Sequence, residues 1–215
     1  MIKGLIFDMD GVLIDSEPLY RILNDKLFKE LGFTLTDEAY AQYVGTTDEK
    51  MLNDLKTRFS LKQSVDDINQ MREDIHLTYF KKAALFPMDY LHDLLNWAKK
   101  HHLKLAVASS TDEKLVHLIL EKIGFLDAFQ AVVCGNQINQ SKPAPDIFLK
   151  AAEKLGLSPE TCIVIEDSTN GVQAGKKAGM TVIGFQSDDG NQDLSESHIR
   201  VESLEEAKKA IEECL

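Results

Sequence analysis

Acids, hydroxyl groups and one lysine stand at or shortly after the ends of four short apolar runs. In chain order they are Asp8, Asp10, Ser109, Ser110, Lys142, Glu166 and Asp167. Close carboxylates repel one another when all are ionised, and a hard divalent cation with oxygen ligands removes that repulsion. A lysine beside them could stabilise an attacking carboxylate and phosphoryl oxygens, while a serine before a helix offers phosphate a hydroxyl and backbone N–H groups. The set predicts phosphate chemistry assisted by a metal ion, and Mg²⁺ is the ion we expect.

Each of these pieces also has a plain structural interpretation when it stands alone. The Asp-x-Asp-Gly sequence at residues 8–11 is typical of a turn, and residues 166–168 could cap a helix. Ser109 could be a helix cap as well, and Lys142 an ordinary surface lysine. Their order at four successive strand ends favours one common site over four unrelated features.

The apolar runs themselves predict a parallel sheet. They are residues 2–7, 103–108, 131–134, 162–165 and 181–185, and each is typical of a buried strand. Helical patterns at residues 111–123, 145–155 and 169–178 are each followed by a glycine. This alternation predicts an α/β fold, a Rossmann-like parallel sheet core with helices on both faces. Ligands of such sheets bind at the carboxyl ends of the strands, where the acids and the lysine stand.

Residues 16–84 interrupt the alternation of strand and helix. They show helical patterns at residues 17–31, 36–43, 48–58 and 64–82 and no convincing strand. A stretch of this length is too long for an ordinary connection. We therefore expect a Rossmann-like catalytic core made of residues 1–15 and 85–215, with an inserted α-helical cap domain at residues 16–84.

The composition limits which cellular compartments and binding partners we expect. Lys and Arg total 24 and Asp and Glu total 35 in 215 residues, so the formal net charge is −11. An acidic chain is a poor candidate for binding nucleic acid through phosphate contacts. No apolar run approaches the roughly 20 residues that cross a membrane, and the first residues do not read as a signal peptide. Three widely spaced cysteines fit a reducing compartment, so we expect a cytoplasmic protein.

Four motifs in order resemble the haloacid dehalogenase-like (HAD) hydrolase superfamily, in its beta-phosphoglucomutase-like and sugar-phosphate phosphatase branch. The motifs are Asp8-Met9-Asp10-Gly11-Val12, residues 105–110 ending in Ser109-Ser110, Ser141-Lys142-Pro143, and Glu166-Asp167-Ser168 followed by Asn170-Gly171. The resemblance covers nearly the whole chain and includes the helical insert as a cap domain. It is specific for the superfamily and the branch and much less specific for the substrate.

The resemblance implies a role for each acid of these motifs. Asp8 would attack phosphorus and become an aspartyl phosphate. Asp10 would protonate the leaving oxygen and later activate water. The side chains of Asp8 and Asp167, with the backbone carbonyl of Asp10, would hold Mg²⁺. Glu166 would support the metal site without binding the ion directly.

Ser109, Ser110 and Lys142 would bind the phosphoryl group in the same scheme. The resemblance thus implies an enzyme, a Mg²⁺-dependent phosphatase of small phosphorylated metabolites, with sugar or polyol phosphates as the main candidates. The identity of the metabolite stays open, and a monomer is the expected state of a core with its own cap. An alternative from another class is a protein that binds such metabolites without turnover, although several close acids argue against it.

A phosphosugar mutase is a further alternative, because it shares the covalent intermediate and differs in the acceptor that the cap selects. The cap positions that the resemblance singles out are Glu17, Tyr20, Gly45, Thr46, Asp48 and Lys50. Beta-phosphoglucomutases usually have a histidine in place of Tyr20 and a phosphate-binding arginine in place of Asp48. An acid there would repel a distal phosphate, which favours the phosphatase, although Lys50 could partly replace the arginine.

Overall fold

The structure is a computed structural model that describes residues 1–43, 48–186 and 192–215, with the side chain of Glu17 left out. The chain divides into two compact units. The core unit comprises Met1–Asp15 and Leu85–Leu215, and the inserted unit comprises Ser16–Ala84. Among the residues described, no helix combines the length and the apolar character that crossing a membrane requires.

The core unit is built on a sheet of parallel strands. In the described part of the chain they are β1 Gly4–Phe7, β2 Lys104–Ser109, β3 Ala131–Cys134, β4 Cys162–Glu166, β5 Thr181–Phe185 and β6 Ile199–Val201. Their order across the sheet is β3-β2-β1-β4-β5-β6, so the first strand of the chain lies between β2 and β4. The predicted α/β fold with a parallel sheet is confirmed. The predicted set lacks β6, because three residues are too few to show a strand pattern.

Helices connect these strands and make up the inserted unit. Over the described ranges they are α1 Glu17–Glu30, α2 Asp37–Ala41, α3 Asp48–Arg58, α4 Val65–Lys82, α5 Leu91–Lys100, α6 Glu113–Lys122, α7 Asp146–Leu155, α8 Thr169–Lys177 and α9 Leu204–Cys214. The predicted helical stretches match within about two residues at most ends, as frayed and capped ends allow. At the start of α6, for example, the Asp112 side chain accepts from the Lys114 N–H at 2.9 Å, so Thr111 stays outside the helix.

Helices cover both faces of the sheet because successive strand side chains point to opposite sides. On one face, Ile6 and Val164 share a buried cluster with Phe148 of α7. The alternate residues Leu5 and Phe7 are equally buried, so the opposite face is covered as well. There α5 and α9 contact each other and the sheet. Burial on both sides explains why the strands are apolar throughout, and it leaves the strand ends as the place for polar groups.

The inserted unit has a small core of its own. Leu23 and Leu27, four residues apart on α1, are buried, as is Phe80 on α4, and the two helices pack together. The α4 helix begins with a capping box, in which Ser64 accepts from the Asp67 N–H and the Asp67 side chain accepts from the Ser64 N–H. The described residues of this unit form helices and loops.

Candidate active site

The carboxyl edge of the sheet brings several of the predicted site residues together. Asp8 directly follows β1, Ser109 is the last residue of β2, and Glu166 is the last residue of β4. Since β2 and β4 are the two parallel neighbours of β1, these side chains come from adjacent strand ends. The Asp8 N–H donates to the Ile165 carbonyl at 3.0 Å, which continues the ladder as far as the acid and fixes its backbone.

Lys142 is buried at this edge, so its interpretation as a surface lysine is excluded. Its side chain is 7% exposed, and Nζ donates to Asp8 Oδ1 at 2.5 Å and to Glu166 Oε1 at 2.6 Å. A third contact runs from Nζ to the Ala108 carbonyl at 3.2 Å. These contacts use the three donors of the ammonium group. Lys142 therefore links the ends of β1, β2 and β4.

Glu166 is engaged by protein groups through both carboxylate oxygens. Oε1 accepts from Lys142, while Oε2 accepts from the Ser168 N–H at 2.8 Å and from Ser168 Oγ at 2.9 Å. The carboxylate lies against Gly171 in α8, where an added Cβ atom would come within 1.8 Å of it. Glu166 thus orients Lys142 and the start of α8, and both functions leave it poorly placed to bind an ion directly.

Asp167 lies against the loop that follows β1. A Cβ atom built on Gly11 would come within 1.9 Å of Asp167 Oδ2. Gly11 also has a φ of +76°, a left-handed conformation that a side chain would strain. Glycine is therefore required here for two reasons, and its lack of a side chain allows the Asp167 carboxylate to approach the backbone that carries Asp8 and Asp10.

Burial and mutual repulsion raise the pKa values of Asp8 and Asp167 at this site. Burial raises the pKa of Asp8 to about 8; the charge of Lys142 opposes this rise, and the charges of Glu166 and Asp10 add to it. The pKa of Asp167 is also raised well above its ordinary value, first by burial and then by the charges of Glu166 and Asp8. Burial alone would lower the pKa of Lys142, but Asp8 and Glu166 more than offset it and the net shift is upward. Lys142 therefore stays positively charged, but its single charge is too small to neutralise the several carboxyl groups around it.

The donor set fits a divalent cation with oxygen ligands. The carboxyl groups of Asp8, Asp10, Glu166 and Asp167 act electrostatically on one another and on Lys142. An excess of carboxylate oxygens suits Mg²⁺, which usually keeps several waters and takes one or two carboxylates from the protein. Within the described ranges, no three side chains of His, Cys, Asp or Glu form a ready metal-binding group.

Asp10 lies beside two hydroxyl groups at the end of β2. Thr111 Oγ1 donates to Asp10 Oδ2 at 3.0 Å, and Ser109 Oγ lies 3.5 Å from the same oxygen. Ser109 is fully buried, and its oxygen accepts from the Thr111 N–H at 3.1 Å. Ser110 is exposed, and its carbonyl packs against Gly135, where an added Cβ atom would come within 2.1 Å. The two serines predicted to bind phosphate therefore differ in exposure: Ser109 is buried beside Asp10, and Ser110 is exposed.

The structure places the described cap positions on two helices of the inserted unit. Tyr20 lies on α1, with its ring 5.2 Å from that of His76. Asp48 begins α3 and accepts from Arg72 Nη2 at 2.6 Å. Arg72 therefore offsets part of the charge of Asp48, an interaction that the sequence did not predict. Lys50 is exposed on α3. Outside the described residues lie Gly45, Thr46 and the side chain of Glu17.

Several residues that shape these contacts are not predicted from the sequence. Thr111 had a signal, since it is a third hydroxyl residue directly after Ser109 and Ser110. Gly135 had none, because its close approach to Ser110 depends on two strands lying side by side. Arg72 likewise stands 24 residues from its partner Asp48, and no helical or strand period relates the two.

Comparison with known proteins gives the family and the fold. The family model described as haloacid dehalogenase-like hydrolase matches residues 5–185. YhcW of Bacillus subtilis is 34% identical over 185 residues, which are 85% of this chain and 83% of that protein. The phosphorylated carbohydrates phosphatase of Thermotoga maritima is 30% identical over 178 residues, 83% of this chain and 82% of that protein. A beta-phosphoglucomutase from Clostridium difficile, 22% identical, has the same fold, with a TM-score of 0.84 over 99% of this chain and 96% of that one.

Proposed function

Because this chain belongs to the haloacid dehalogenase-like hydrolases, we propose that it is a Mg²⁺-dependent phosphatase of small phosphorylated metabolites. The observation that carries the proposal is the buried Lys142, which contacts Asp8 and Glu166 at the carboxyl edge of the sheet. Sugar and polyol phosphates are the proposed substrates, and the name of the Thermotoga relative supports this class. We propose a monomer as the working state.

Asp8 is the proposed nucleophile of the first step. One of its carboxylate oxygens attacks phosphorus, and the bond between phosphorus and the leaving oxygen breaks. The leaving oxygen takes a proton from the Asp10 carboxyl group, so the product departs as a neutral alcohol. Lys142 holds the Asp8 carboxylate in place through its 2.5 Å contact with Oδ1. At the end of the step, Asp8 carries the phosphoryl group and Asp10 is a carboxylate.

Water completes the reaction in the second step. Asp10 takes a proton from a water molecule as the water oxygen attacks phosphorus. The bond between phosphorus and the Asp8 oxygen breaks, phosphate leaves, and both carboxyl groups return to their starting states. Lys142, Ser109 and Ser110 are the proposed contacts of the phosphoryl oxygens, whose charge they stabilise.

Mg²⁺ is the proposed cofactor. The side chains of Asp8 and Asp167 and the backbone carbonyl of Asp10 would hold it, and Glu166 would support them through Lys142 and α8. When bound, the ion supplies positive charge to the phosphoryl oxygens. The absence of a side chain at Gly11 lets Asp167 reach this position.

The inserted unit is the proposed cap, which selects the substrate. Tyr20, Asp48 and Lys50 are its proposed contacts among the described residues. Because Arg72 offsets the charge of Asp48, this unit could accept an anionic group more readily than an isolated acid would allow. The positions left outside the described residues, those of Gly45, Thr46 and the Glu17 side chain, belong to the same proposal.

A phosphate-release screen tests the function. The purified chain is assayed against sugar, polyol and nucleotide phosphates with Mg²⁺ and again with a chelator. We expect release that depends on Mg²⁺ and is lost in Asp8→Asn. Asp93→Asn is the matched control, because Asp93 is an exposed acid on α5 and takes no part in the site.

Three results would contradict the proposal. Equal turnover with Mg²⁺ and with chelator would show that the mechanism is wrong. Rapid conversion of beta-glucose 1-phosphate into glucose 6-phosphate, measured in parallel, would identify a mutase, which passes the phosphoryl group to a sugar hydroxyl instead of water. Absence of turnover across the whole panel would favour a binding protein.

A further inference from the structure

Thr111 presents a hydroxyl group to one oxygen of the proposed acid. Its Oγ1 donates to Asp10 Oδ2 at 3.0 Å, although the two residues are 101 positions apart in the chain. The backbone of Thr111 is tied on both sides. Its N–H donates to Ser109 Oγ at 3.1 Å, and its carbonyl accepts from the Gly135 N–H at 3.2 Å. The hydroxyl therefore reaches Asp10 from a backbone that β2 and β3 hold in place.

Helix capping could explain this hydroxyl group in structural terms, but the contacts at the start of α6 exclude it. A threonine just before a helix commonly caps it. Here the cap of α6 is Asp112, whose side chain accepts from the Lys114 N–H at 2.9 Å. The Thr111 hydroxyl is thus not needed by the helix, and the contact it makes is with the carboxylate.

We propose that Thr111 is a positioning residue that orients the Asp10 carboxyl group for proton transfer, an inference that rests on the proposed function. The hydrogen bond from Thr111 to Oδ2 fixes the rotation of the Asp10 carboxyl group. In the first step the carboxyl proton of Asp10 passes to the leaving oxygen as its bond to phosphorus breaks. In the second step the Asp10 carboxylate takes a proton from water. Thr111 exchanges no proton with the substrate in either step.

The test uses two esters that differ in their need for an acid. p-Nitrophenolate is a stable leaving group and departs without much proton donation, whereas an alkoxide needs the proton. The measured quantity is kcat/KM, which covers the steps up to release of the alcohol or phenol. Thr111→Val should lower kcat/KM about tenfold or more for the sugar phosphate that the unaltered chain hydrolyses fastest. The kcat/KM for p-nitrophenyl phosphate should stay within about twofold. Thr111→Ser, which keeps the hydroxyl, should keep both values close to those of the unaltered chain.

Two further variants separate orientation from general damage. Thr161→Val makes the same substitution directly before β4, at the opposite edge of the sheet, where the hydroxyl donates to the Ser158 carbonyl at 2.8 Å. It should leave the ratio of the two kcat/KM values unchanged. In an Asp10→Asn background, Thr111→Val should have no further effect, because the group it orients is gone. Thermal unfolding of every variant checks the fold.

The outcomes distinguish this inference from the proposed function. An equal loss for both esters, or a loss that persists in the Asp10→Asn background, would overturn the role of Thr111 and leave the phosphatase standing. If the unaltered chain released no phosphate from any ester, the proposed function would fall and the role of Thr111 with it.

Discussion

Asp8, the proposed nucleophile, lies at a position where its negative charge is costly to the fold. Burial raises its pKa to about 8 from an ordinary 3.8. Between these values the folded chain keeps a proton that the unfolded chain has lost, so the metal-free protein becomes less stable as pH rises through this window. A neutral side chain of the same shape would avoid that loss. Functional sites often carry such a cost.

The first prediction follows from this cost. With chelator present at pH 8, Asp8→Asn should unfold at a higher temperature than the unaltered chain. The gain should reach at least about 2–4 °C, the shift that about 1 kcal/mol produces in a chain of this size. It should shrink towards pH 4, where both proteins carry an uncharged group at this position. Added Mg²⁺ should narrow the gap, because the ion offsets the buried charge.

The opposite result would have a clear meaning. If Asp8→Asn unfolded at a lower temperature at pH 8, the ion pair with Lys142 would stabilise the fold more than burial of the carboxylate destabilises it. Scanning calorimetry across pH distinguishes the two cases, with Asp93→Asn as the exposed control.

At the scale of elements, the sheet and the strand-end residues were predictable for a geometric reason. Parallel strands place all their carboxyl ends on one edge, so the order of apolar runs was enough to bring Asp8, Ser109 and Glu166 to that edge. Periodicity also located most helices within about two residues. The three-residue strand β6 was too short to show any period.

Contacts between residues far apart in the sequence could not be predicted from apolar runs and periodicity. The bond from Thr111 to Asp10 and the pair of Arg72 with Asp48 depend on which elements lie side by side, and no local pattern reports that. The partners of Lys142 were predictable only in part. The sequence placed a lysine beside the acids of this edge, but only the folded chain shows that its ammonium group lies between the carboxylates of Asp8 and Glu166.

The α8 helix provides a test of how closely an element must approach the site. A Cβ atom at Gly171 would come within 1.8 Å of the Glu166 carboxylate, so Gly171→Ala must displace Glu166 from Lys142 and Ser168. We expect a loss of about 1–3 kcal/mol in stability, as for other overpacked positions. We also expect kcat to fall at least about tenfold, because a displaced Glu166 no longer orients Lys142 beside Asp8.

Gly175→Ala on the same helix is the matched control. Its Cβ atom would come within 2.7 Å of a Val182 methyl group, in the sheet rather than at the site. Stability should fall here too, while kcat at a temperature where the variant is folded should change little. Equal effects of the two variants on kcat would show that α8 acts through general packing.

The α4 helix carries a buried histidine that should make the inserted unit sensitive to acid. His76 is 3% exposed, and its Nε2 has no hydrogen-bond partner among the residues that the structure describes. Burial, and then the charge of Arg72, lowers its pKa to about 3 from 6.5. Between these values the unfolded chain binds a proton that the folded chain does not, so stability is lost as pH falls through this window.

His76→Phe should remove this contribution and keep the ring packing against Tyr20. The free energy of unfolding of the variant relative to the unaltered chain should grow as pH falls below about 6.5, by up to about 1.4 kcal/mol per pH unit. Chemical denaturation at several pH values gives the difference. His117→Phe, at an exposed position on α6, is the control and should show no such trend. A constant difference across pH would mean that His76 takes up a proton in the folded unit.

At the scale of the whole molecule, the proposed chemistry and the proposed selection of substrate lie in separate units. The contacts of Asp10 with Thr111 and of Lys142 with Asp8 and Glu166 join residues of the core unit. The core unit is discontinuous in sequence, but its two segments meet where the Met88 N–H donates to the Leu13 carbonyl at 2.8 Å. The ends left by removing Ser16–Ala84 therefore lie close to each other.

The last prediction uses this separation. A variant in which a flexible linker of about four to six residues replaces Ser16–Ala84 should fold, with a cooperative thermal transition and the circular dichroism of an α/β protein. It should hydrolyse p-nitrophenyl phosphate in a reaction that Asp8→Asn abolishes, since the residues of both chemical steps remain. Its kcat/KM values for different sugar phosphates should converge, because the proposed selecting contacts are gone. A folded variant that still ranked those sugars as the intact chain does would place substrate selection in the core unit, and a folded variant without aryl phosphatase activity would show that the inserted unit supplies part of the chemistry.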